Sequence, residues 1–396
     1  MKASQIQKSP DGAAALVVEY TDPIEGFKGW FVRDTLANRL CAGGVRVQPG
    51  LSRNHLCDMA RNMTHKMQIA NLRVDGAKCG IDYDPQLPGK QKALARFMEA
   101  ILPYIKDCYS VGPDLNVDMR ELDSIGEKLG ITSVKIAIAT AMGWDTAYFL
   151  QRYGILSQQI NGWTLSELRA GSGLAQACLT VLEFLNILPS RATAVIQGFG
   201  AVSKACAYFL NNSGVQITGF ADYQKSIIAP DDDSLDIDRL LLEKSTLLPL
   251  VGEMNCKEGT PEAIYEIACD IFIPAAVENA ITREVAAKLR TAAVVPGANL
   301  AVTPDGESIL YDRKIVVLPD FLAGCGGSLS MEGLFGPALP PEPNAVLAHV
   351  QKKMASLVAK VLARSRELHI SPTEAALQYC DEAVTTGDGK PYVLNV

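Results

Sequence analysis

The order of apolar and polar positions divides the first part of the chain into short strands and amphipathic helices. Apolar side chains recur at helical spacing within residues 52–71, and Ser52 is suited to cap that helix. Residues 14–20 and 28–33 are short, largely apolar runs bounded by turn residues, a pattern typical of strands. The same pattern predicts a strand at 45–47, helices at 90–107 and 118–129, and a helix with its connector at 145–161.

Strands and helices alternate in the second part of the chain. A long helix is predicted over residues 165–187, and an apolar strand over 192–197 leads into a glycine-containing turn and another helix. Such alternation is typical of a doubly wound parallel sheet, so the predicted fold class is α/β. Further strands are predicted at 215–221, 271–273, 293–295 and 315–318, and closing helices at 344–368 and 372–383, after a Gly- and Pro-rich linker at 333–343.

Composition and charge narrow the class of protein. At 396 residues the chain is longer than one typical domain, and 48% hydrophobic with 20% charged residues is ordinary for a soluble enzyme. A net charge of −7 gives no reason to expect a nucleic-acid or membrane partner. The ten cysteines show no metal-binding spacing, and no apolar run has transmembrane length. We therefore expect a cytoplasmic protein with reduced cysteines and no metal site.

A nucleotide-binding turn is predicted at Gly198-Phe199-Gly200. The turn follows a strand and precedes a helix, and the next strand ends at Asp222, 22 residues after Gly200. In dinucleotide-binding folds a carboxylate near this spacing accepts hydrogen bonds from the adenosine ribose and disfavours a 2′-phosphate. The predicted cofactor is therefore NAD. The residues expected to bind it here are Gly198, Phe199, Gly200, Ala201, Val202 and Asp222.

Two lysines and a carboxylate are the candidate chemical groups of the first part. Lys66 and Lys78 are twelve residues apart, and Asp114 follows further along the chain. One ammonium group is suited to neutralise a substrate carboxylate, and a second to polarise a carbonyl or activate water. Asp114 is suited to shuttle protons. Beside a nicotinamide, these groups favour chemistry on an α-amino or α-keto acid.

Eight short motifs occur in one order along nearly the whole chain, and together they resemble the glutamate/leucine/phenylalanine/valine dehydrogenase superfamily. The resemblance implies a substrate-binding and oligomerisation domain at residues 1–150 and an NAD-binding Rossmann-like domain at 151–335. It also implies C-terminal helices at 336–396 that pack back on the first domain. The motifs are Gly43-Gly44-Val45-Arg46, Met63-Thr64-His65-Lys66, Gly76-Ala77-Lys78, Gly112-Pro113-Asp114-Leu115-Asn116, Gly198-Phe199-Gly200, Ile273-Pro274-Ala275-Ala276, Gly297-Ala298-Asn299 and Gly326-Gly327.

The resemblance gives each candidate residue a role. It implies that Lys66 holds the α-carboxylate, that Lys78 activates the attacking water and stabilises the developing carbonyl oxygen, and that Asp114 exchanges protons with the amine. Hydride would pass from Cα to C4 of NAD, and water would hydrolyse the resulting imine to a keto acid and ammonia. A homo-oligomer, dimeric or larger, is also implied. The cofactor site is further expected to include Ala275, Ala276 and Asn299.

The residues expected around the substrate side chain favour an apolar or aromatic amino acid. Glutamate-specific members resemble one another in carrying a lysine directly before the Gly-Gly pair, and here that position is Ala42. Met331 falls where those members carry a hydroxyl group. An acidic side chain would be buried there without an ion pair, at a cost of about 3–5 kcal/mol. The expected substrate contacts are Lys66, Ala42, Gly43, Gly44, Ser328 and Met331.

Several positions depart from the family pattern and keep other functions open. Gly324 replaces an asparagine that normally bonds the substrate amino group, and Ala170 or Gly171 replaces a threonine near the nicotinamide. Asp75 is near enough in sequence to pair with one of the two lysines, while Cys79 and Ser203 are further departures. One alternative is a divergent enzyme that acts on an unusual keto acid or imine in specialised metabolism. Another is a catalytically weak NAD-binding partner protein.

Overall fold

The structure of the chain is a computed structural model that describes residues 14–230, 233–249, 255–383 and 389–394. Contacts divide the described residues into two compact units. The first unit contains the residues up to Tyr153 and those from Glu382 onward, and the second extends from Gly154 to Asp381. Among the described helices, none combines the length and the apolar character needed to cross a membrane.

The first unit is built on a five-stranded mixed sheet. Its elements in chain order are β1 (Leu16–Thr21), β2 (Lys28–Arg33), β3 (Leu40–Val47), α1 (Arg53–Ile69), β4 (Val74–Ile81), α2 (Lys90–Ala100), α3 (Leu102–Asp107), β5 (Tyr109–Pro113), α4 (Met119–Lys128), α5 (Ala137–Met142) and α6 (Thr146–Tyr153). The strand order is β1-β2-β4-β3-β5. Strand β3 runs parallel to β4 and β5, whereas β2 is antiparallel to β1 and β4.

The two faces of this sheet have different coverings. Side chains of Cys79 and Val111 lie in a buried apolar core that also contains Phe97 of α2. Helix α1 packs on the opposite face, where a side chain at Gly76 would overlap the backbone of Thr64. Because side chains alternate along a strand, the face that carries α1 also carries Lys78.

The second unit contains the predicted parallel sheet. Its elements in chain order are β6 (Gln159–Ile160), β7 (Trp163–Thr164), α7 (Leu165–Phe184), β8 (Thr193–Gln197), α8 (Ala201–Asn212), β9 (Gln216–Ala221), β10 (Ser226–Ile228), α9 (Ile237–Leu241), β11 (Lys257–Gly259), β12 (Ala268–Pro274), α10 (Arg283–Lys288), β13 (Arg290–Val294), α11 (Pro304–Asp312), β14 (Val316–Val317), α12 (Asp320–Ala323), α13 (Gly326–Phe335), α14 (Pro343–Leu368) and α15 (Pro372–Glu382). The strand order is β11-β10-β9-β8-β12-β13-β14. Strands β9, β8, β12, β13 and β14 are parallel to one another. Strands β10 and β11 extend the sheet at one edge by antiparallel pairing. The α/β fold class is therefore confirmed.

The C-terminal helices lie in the second unit as far as Asp381, and the described residues from Glu382 onward lie in the first. Helix α14 belongs to the second unit, where it packs against α7 and α13. Val350 and Met354 of α14 lie against the α7 backbone at Gly173, where a methyl group would be 3.3 Å from each side chain. The apolar face of α14 is therefore buried within the second unit.

Two predicted elements have different bounds in the structure. The helix predicted over 90–107 is divided into α2 and α3, because Pro103 lies in the first turn of a new helix, where its missing N–H is tolerated. The strand predicted at 45–47 begins at Leu40, because the chain remains extended through Gly43 and Gly44. Ser52 caps α1 as predicted, by accepting a hydrogen bond from the backbone N–H of His55 at 3.3 Å.

Candidate functional site

Lys66 and Lys78 are both buried in the first unit. Lys66 lies in the last turn of α1, Lys78 lies on β4, and α1 packs against β4. Their exposed fractions are 7% and 3%, respectively. Lysines are seldom buried without a functional or ionic reason, because an ammonium group loses its hydration. Burial of both side chains supports a chemical rather than a surface role.

Asp114 is paired with Lys78. The Lys78 Nζ atom lies 2.5 Å from Asp114 Oδ2, and Arg46 Nη2 lies 3.5 Å from Oδ1. Burial would raise the pKa of Asp114, but the charges of Lys78 and Arg46, with hydrogen bonds from Lys78 and the Leu115 N–H, hold that pKa at about 2. Asp114 is therefore a carboxylate at neutral pH and has a cation on each oxygen.

Arg46 is a site residue to which the sequence assigned no role. It lies on β3 in the Gly43-Gly44-Val45-Arg46 motif, is buried, and also donates to Gln48 Oε1 at 3.1 Å. The feature of the sequence that could have identified Arg46 is its position two residues after the Gly43-Gly44 pair. Its contact with Asp114 adds a second positive charge beside the Lys78–Asp114 pair.

Gly43 and Gly44 have steric reasons to be glycine. A methyl group at position 43 would overlap the carbonyl oxygen of Ala77, and one at position 44 would lie 2.9 Å from Asp114 Cβ. The strand β3 backbone therefore comes close to both β4 and the Asp114 turn. Ala42, directly before the pair, remains half-buried. The structure thus brings Ala42, Gly43 and Gly44 to the same sheet as Lys78.

Asp75 does not pair with either lysine. It lies on β4 three residues before Lys78, so the two side chains point to opposite faces of the strand. Its Oδ2 accepts hydrogen bonds from Arg33 at 2.7 and 3.1 Å, and its Oδ1 accepts from Thr35 and Asn38 at 2.9 and 2.8 Å. Arg33 neutralises the charge of Asp75, and the two residues form a structural ion pair.

Two buried cysteines, Cys79 and Cys325, are packing residues. Cys79 is fully buried, and the Tyr109 hydroxyl donates to its sulfur at 3.4 Å. Burial raises the pKa of the Cys79 thiol to about 12, which removes the thiolate needed of a nucleophile. Cys325 is also fully buried. Within the described ranges, no group of three or more His, Cys, Asp or Glu side chains is arranged to hold a metal ion.

The turn at Gly198-Phe199-Gly200 lies between β8 and α8 in the second unit, as predicted. Gly198 has φ of 101°, a conformation that side chains rarely adopt, and a methyl group there would be 2.8 Å from the Ala275 carbonyl oxygen. The turn is therefore packed against Ala275 and Ala276, which follow β12. The Ser203 hydroxyl donates to the same Ala275 oxygen at 3.5 Å, which is how the helix accommodates serine in place of a third glycine.

Gly200 lies on an open side of the turn. A methyl group at Gly200 would meet no described atom within 4 Å, and no described side chain caps the N-terminus of α8. The first N–H groups of a helix form an anion-binding site, here those of Ala201 and Val202. These residues fit the diphosphate of a nicotinamide dinucleotide.

Asp222 directly follows β9, as the sequence predicted. Its Oδ1 accepts hydrogen bonds from the N–H groups of Gln224 and Lys225 at 2.7 and 2.9 Å, and its Oδ2 accepts from Leu248 at 2.6 Å. A carboxylate has about four acceptor positions, so about one remains to accept a hydrogen bond from a ribose hydroxyl. The backbone fixes the orientation of the carboxylate.

Lys204, in the first turn of α8, is a residue that sequence analysis missed. Its Nζ lies 4.3 Å from the Phe199 ring centroid and donates to the carbonyl oxygens of Glu243 and Ser245, at 2.6 Å each. Burial lowers its pKa. Together with the Leu248 contact of Asp222, these bonds attach the segment 243–248 beside the nucleotide turn.

Asn299 and the α13 residues complete the predicted set. Asn299 follows Gly297 and Ala298, whose N–H groups donate to the Pro274 carbonyl at 3.0 and 3.1 Å, so it is held near the end of β12. Ser328 and Met331 are three residues apart on α13 and share one face. Arg169 of α7 fixes that helix by donating to Gly327 O at 3.2 Å and Ser330 Oγ at 2.9 Å.

Comparison with known proteins shows the family to which the chain belongs. The chain matches a family model described as Glutamate/Leucine/Phenylalanine/Valine dehydrogenase over residues 162–386. It also matches a model described as Glu/Leu/Phe/Val dehydrogenase, dimerisation domain, over residues 14–129. The chain therefore belongs to this family, and it is an amino acid dehydrogenase, an oxidoreductase.

Individual relatives support this membership. The NADP-specific glutamate dehydrogenase of Saccharolobus shibatae is 29% identical over 311 residues, which cover 77% of this chain and 70% of that protein. The catabolic NAD-specific glutamate dehydrogenase RocG of Bacillus subtilis is 28% identical over 302 residues, covering 72% and 65%. Both relatives are named glutamate dehydrogenases. That this chain is closer to the leucine and phenylalanine dehydrogenases than to the glutamate dehydrogenases therefore stays a prediction.

Solved structures share the fold. The hetero-hexameric glutamate dehydrogenase from Thermus thermophilus superposes with a TM-score of 0.75 at 24% identity, covering 93% of this chain and 88% of that one. The L-tryptophan dehydrogenase from Nostoc punctiforme superposes with a TM-score of 0.60 at 16% identity, covering 94% and 96%. The predicted α/β architecture is therefore that of known amino acid dehydrogenases.

Proposed function

We propose that this chain catalyses the NAD-dependent oxidative deamination of an apolar or aromatic L-amino acid to its 2-keto acid, and the reverse reductive amination. The observation that carries the proposal is the buried ion pair of Lys78 with Asp114, on the sheet against which the Lys66 helix packs. A structural pair needs no second buried lysine nearby, whereas an amino acid substrate needs a cation for its carboxylate and a separate proton-transfer pair.

The residues divide the reaction between them. Lys66 binds the α-carboxylate of the substrate. Asp114, an anion at neutral pH, accepts a proton from the substrate ammonium group, and Lys78 holds the attacking water and stabilises the oxygen that becomes the keto group. Bound NAD supplies the hydride acceptor.

The choice of NAD rests on Asp222. Its carboxylate is oriented by three backbone N–H groups at the end of β9, where the ribose of a dinucleotide is expected. A fixed negative charge there repels a 2′-phosphate. Because named relatives include both NAD-specific and NADP-specific enzymes, the ratio of activities with NAD and NADP tests this part of the proposal.

The choice of an apolar or aromatic substrate rests on Ala42 and Met331. Neither side chain can pair with a carboxylate, and Ala42 leaves room for a large group. Ser328 is proposed as a further contact. We also propose that the chain forms a homo-oligomer, since the matched N-terminal model is described as a dimerisation domain and the similar Thermus thermophilus protein as hetero-hexameric.

A spectrophotometric screen tests the proposed function. Amino acids with NAD, and keto acids with ammonia and NADH, are followed at the NADH absorbance, with Lys78→Ala as the inactive control. We expect activity with apolar or aromatic substrates that the control lacks. A silent screen with intact NADH binding would instead favour the divergent enzyme or the binding protein, for which the missing asparagine at Gly324 is the specific reason.

A further inference from the structure

Lys204 holds a short segment of the second unit against the nucleotide turn. Its exposed fraction is 7%, and its Nζ donates to the carbonyl oxygens of Glu243 and Ser245 at 2.6 Å each. The centroid of the Phe199 ring lies 4.3 Å from the same Nζ atom. An ammonium group has three donors, so these carbonyl oxygens use two of them, and the ring adds a cation–π attraction. The ammonium group therefore serves contacts within the protein.

The backbone of Lys204 joins this contact to the nucleotide turn. Its N–H donates to the Gly200 carbonyl oxygen at 3.0 Å, in the first turn of α8. Lys204 thus links the turn, through its backbone, to residues 243–245, through its side chain. The position of the ammonium group therefore depends on the helix that begins at the turn.

Residues 243–248, which we call the strap, are also folded by a hydrogen bond of their own. The Leu247 N–H donates to Ser245 Oγ at 3.0 Å, which closes a turn within the strap. Leu248, at the far end, is buried and donates its N–H to Asp222 Oδ2 at 2.6 Å. The strap therefore extends from the buried ammonium group to the Asp222 carboxylate.

The strap fixes the rotation of the Asp222 carboxylate. The N–H groups of Gln224 and Lys225 both bond Oδ1, from the turn that follows β9, whereas the Leu248 N–H bonds Oδ2. With Oδ1 alone held, the carboxylate is free to turn about its Cβ–Cγ bond, a torsion with broad preferences in aspartate. A ribose hydroxyl needs an acceptor at a fixed position, and exclusion of a 2′-phosphate needs the negative charge to stay there. The bond from the strap meets both needs.

We infer that Lys204 is a positioning residue for the cofactor, which holds the Asp222 carboxylate, through the strap, in the orientation that selects NAD over NADP. The inference rests on the proposed function, because it takes Asp222 as the carboxylate that binds the ribose. It assigns part of the cofactor selectivity to a lysine that acts through a backbone segment rather than through contact with the dinucleotide.

The test compares the dissociation constants of NADH and NADPH, measured by fluorescence titration without substrate. Lys204→Met keeps the apolar stem and removes the donors, so the preference of the wild type for NADH should fall about 5- to 50-fold, part of the value of a hydrogen bond to a charged group. Lys244→Met is the matched control, because it removes the same charge from an exposed position of the strap and should leave the preference unchanged. Equal losses of affinity for both dinucleotides in Lys204→Met would show a purely structural role and overturn the inference.

Ser245→Ala tests the strap at an exposed position, and so does not depend on the loss of a buried charge. It removes the Oγ atom that accepts from Leu247, so the preference for NADH should fall about 2- to 10-fold. If Lys204→Met does not fold, Ser245→Ala alone decides, and an unchanged preference there overturns the inference. A wild type that prefers NADH, with the same preference in both variants, overturns the inference and leaves the proposed function standing. A wild type that prefers NADPH overturns the inference together with the proposed choice of NAD.

Discussion

Lys78 Nζ and Asp114 Oδ2 lie 2.5 Å apart, although 36 residues separate them in the chain. Lys78 is on β4 and Asp114 directly follows β5, and β3 lies between these strands and runs parallel to both. The Gly43-Gly44 pair makes this contact possible, since bulkier residues would overlap Ala77 or crowd Asp114. The sheet therefore assembles a buried ion pair from distant parts of the sequence.

Asp114→Asn should abolish most of the activity and leave cofactor binding intact. The amide cannot accept the proton of the substrate amine, so kcat should fall by about 10²- to 10⁴-fold. NADH binding should be unchanged, because the nucleotide turn lies in the other unit. Steady-state kinetics and NADH fluorescence titration measure the two effects. A variant with near-normal kcat would remove Asp114 from the mechanism.

Asp114 also makes stability depend on pH in the acid range. Its pKa in the folded protein is about 2, below the ordinary value of 3.8, because the charges of Lys78 and Arg46 outweigh burial. The carboxylate therefore contributes stability that is complete above about pH 4 and is lost as the pH falls through about 2. Urea unfolding at several pH values should show a steeper acid loss for the wild type than for Asp114→Asn. Parallel curves would contradict the assignment.

Asp75→Ala should destabilise the protein without a direct effect on the chemistry. The change leaves Arg33 buried without its partner, which typically costs about 3–5 kcal/mol. Asp58→Ala is the matched control, because its ion pair with Arg61 is exposed and should contribute less than about 1 kcal/mol. Chemical denaturation gives both values. Similar losses for the two variants would show that the Arg33 pair is not a structural anchor.

Substitutions at two glycines of the nucleotide turn should distinguish an effect on stability from an effect on cofactor binding. Gly198→Ala places a methyl group against the Ala275 carbonyl at positive φ, so both stability and NADH affinity should fall. Gly200→Ala meets no described atom, so stability should be retained while the methyl group occupies space proposed for the diphosphate. Thermal unfolding and NADH titration distinguish the two cases. Normal NADH affinity in Gly200→Ala would place the diphosphate elsewhere.

Local patterns in the sequence predicted most of the elements. The strand at 28–33 and the helices that begin near Arg53, Leu165 and Pro372 have the predicted type and nearly the predicted bounds. Their apolar periodicity and their caps are encoded within a few residues. The strand predicted at 45–47 was too short, because Gly43 and Gly44 give no strand signal, although a methyl group at position 43 would overlap the carbonyl oxygen of Ala77.

Partners from distant parts of the chain could not be predicted. Asp75 was expected beside a lysine, yet its partner Arg33 lies 42 residues away on β2, and only the strand pairing brings them together. Lys135 follows Val134 in an apolar run without a motif, and its ammonium group donates to the carbonyl oxygen of Val111 on β5, a contact that depends on the path of a loop. Such contacts follow from tertiary packing.

The central claim is that this dehydrogenase oxidises an apolar or aromatic amino acid in place of glutamate. The ratio of kcat/KM for phenylalanine to that for glutamate, with NAD, tests it most directly. We predict a ratio above about 100, because Ala42 and Met331 leave a side-chain carboxylate without an ion pair. Ala42→Lys should lower that ratio by supplying the cation. A wild-type ratio below one would contradict the account.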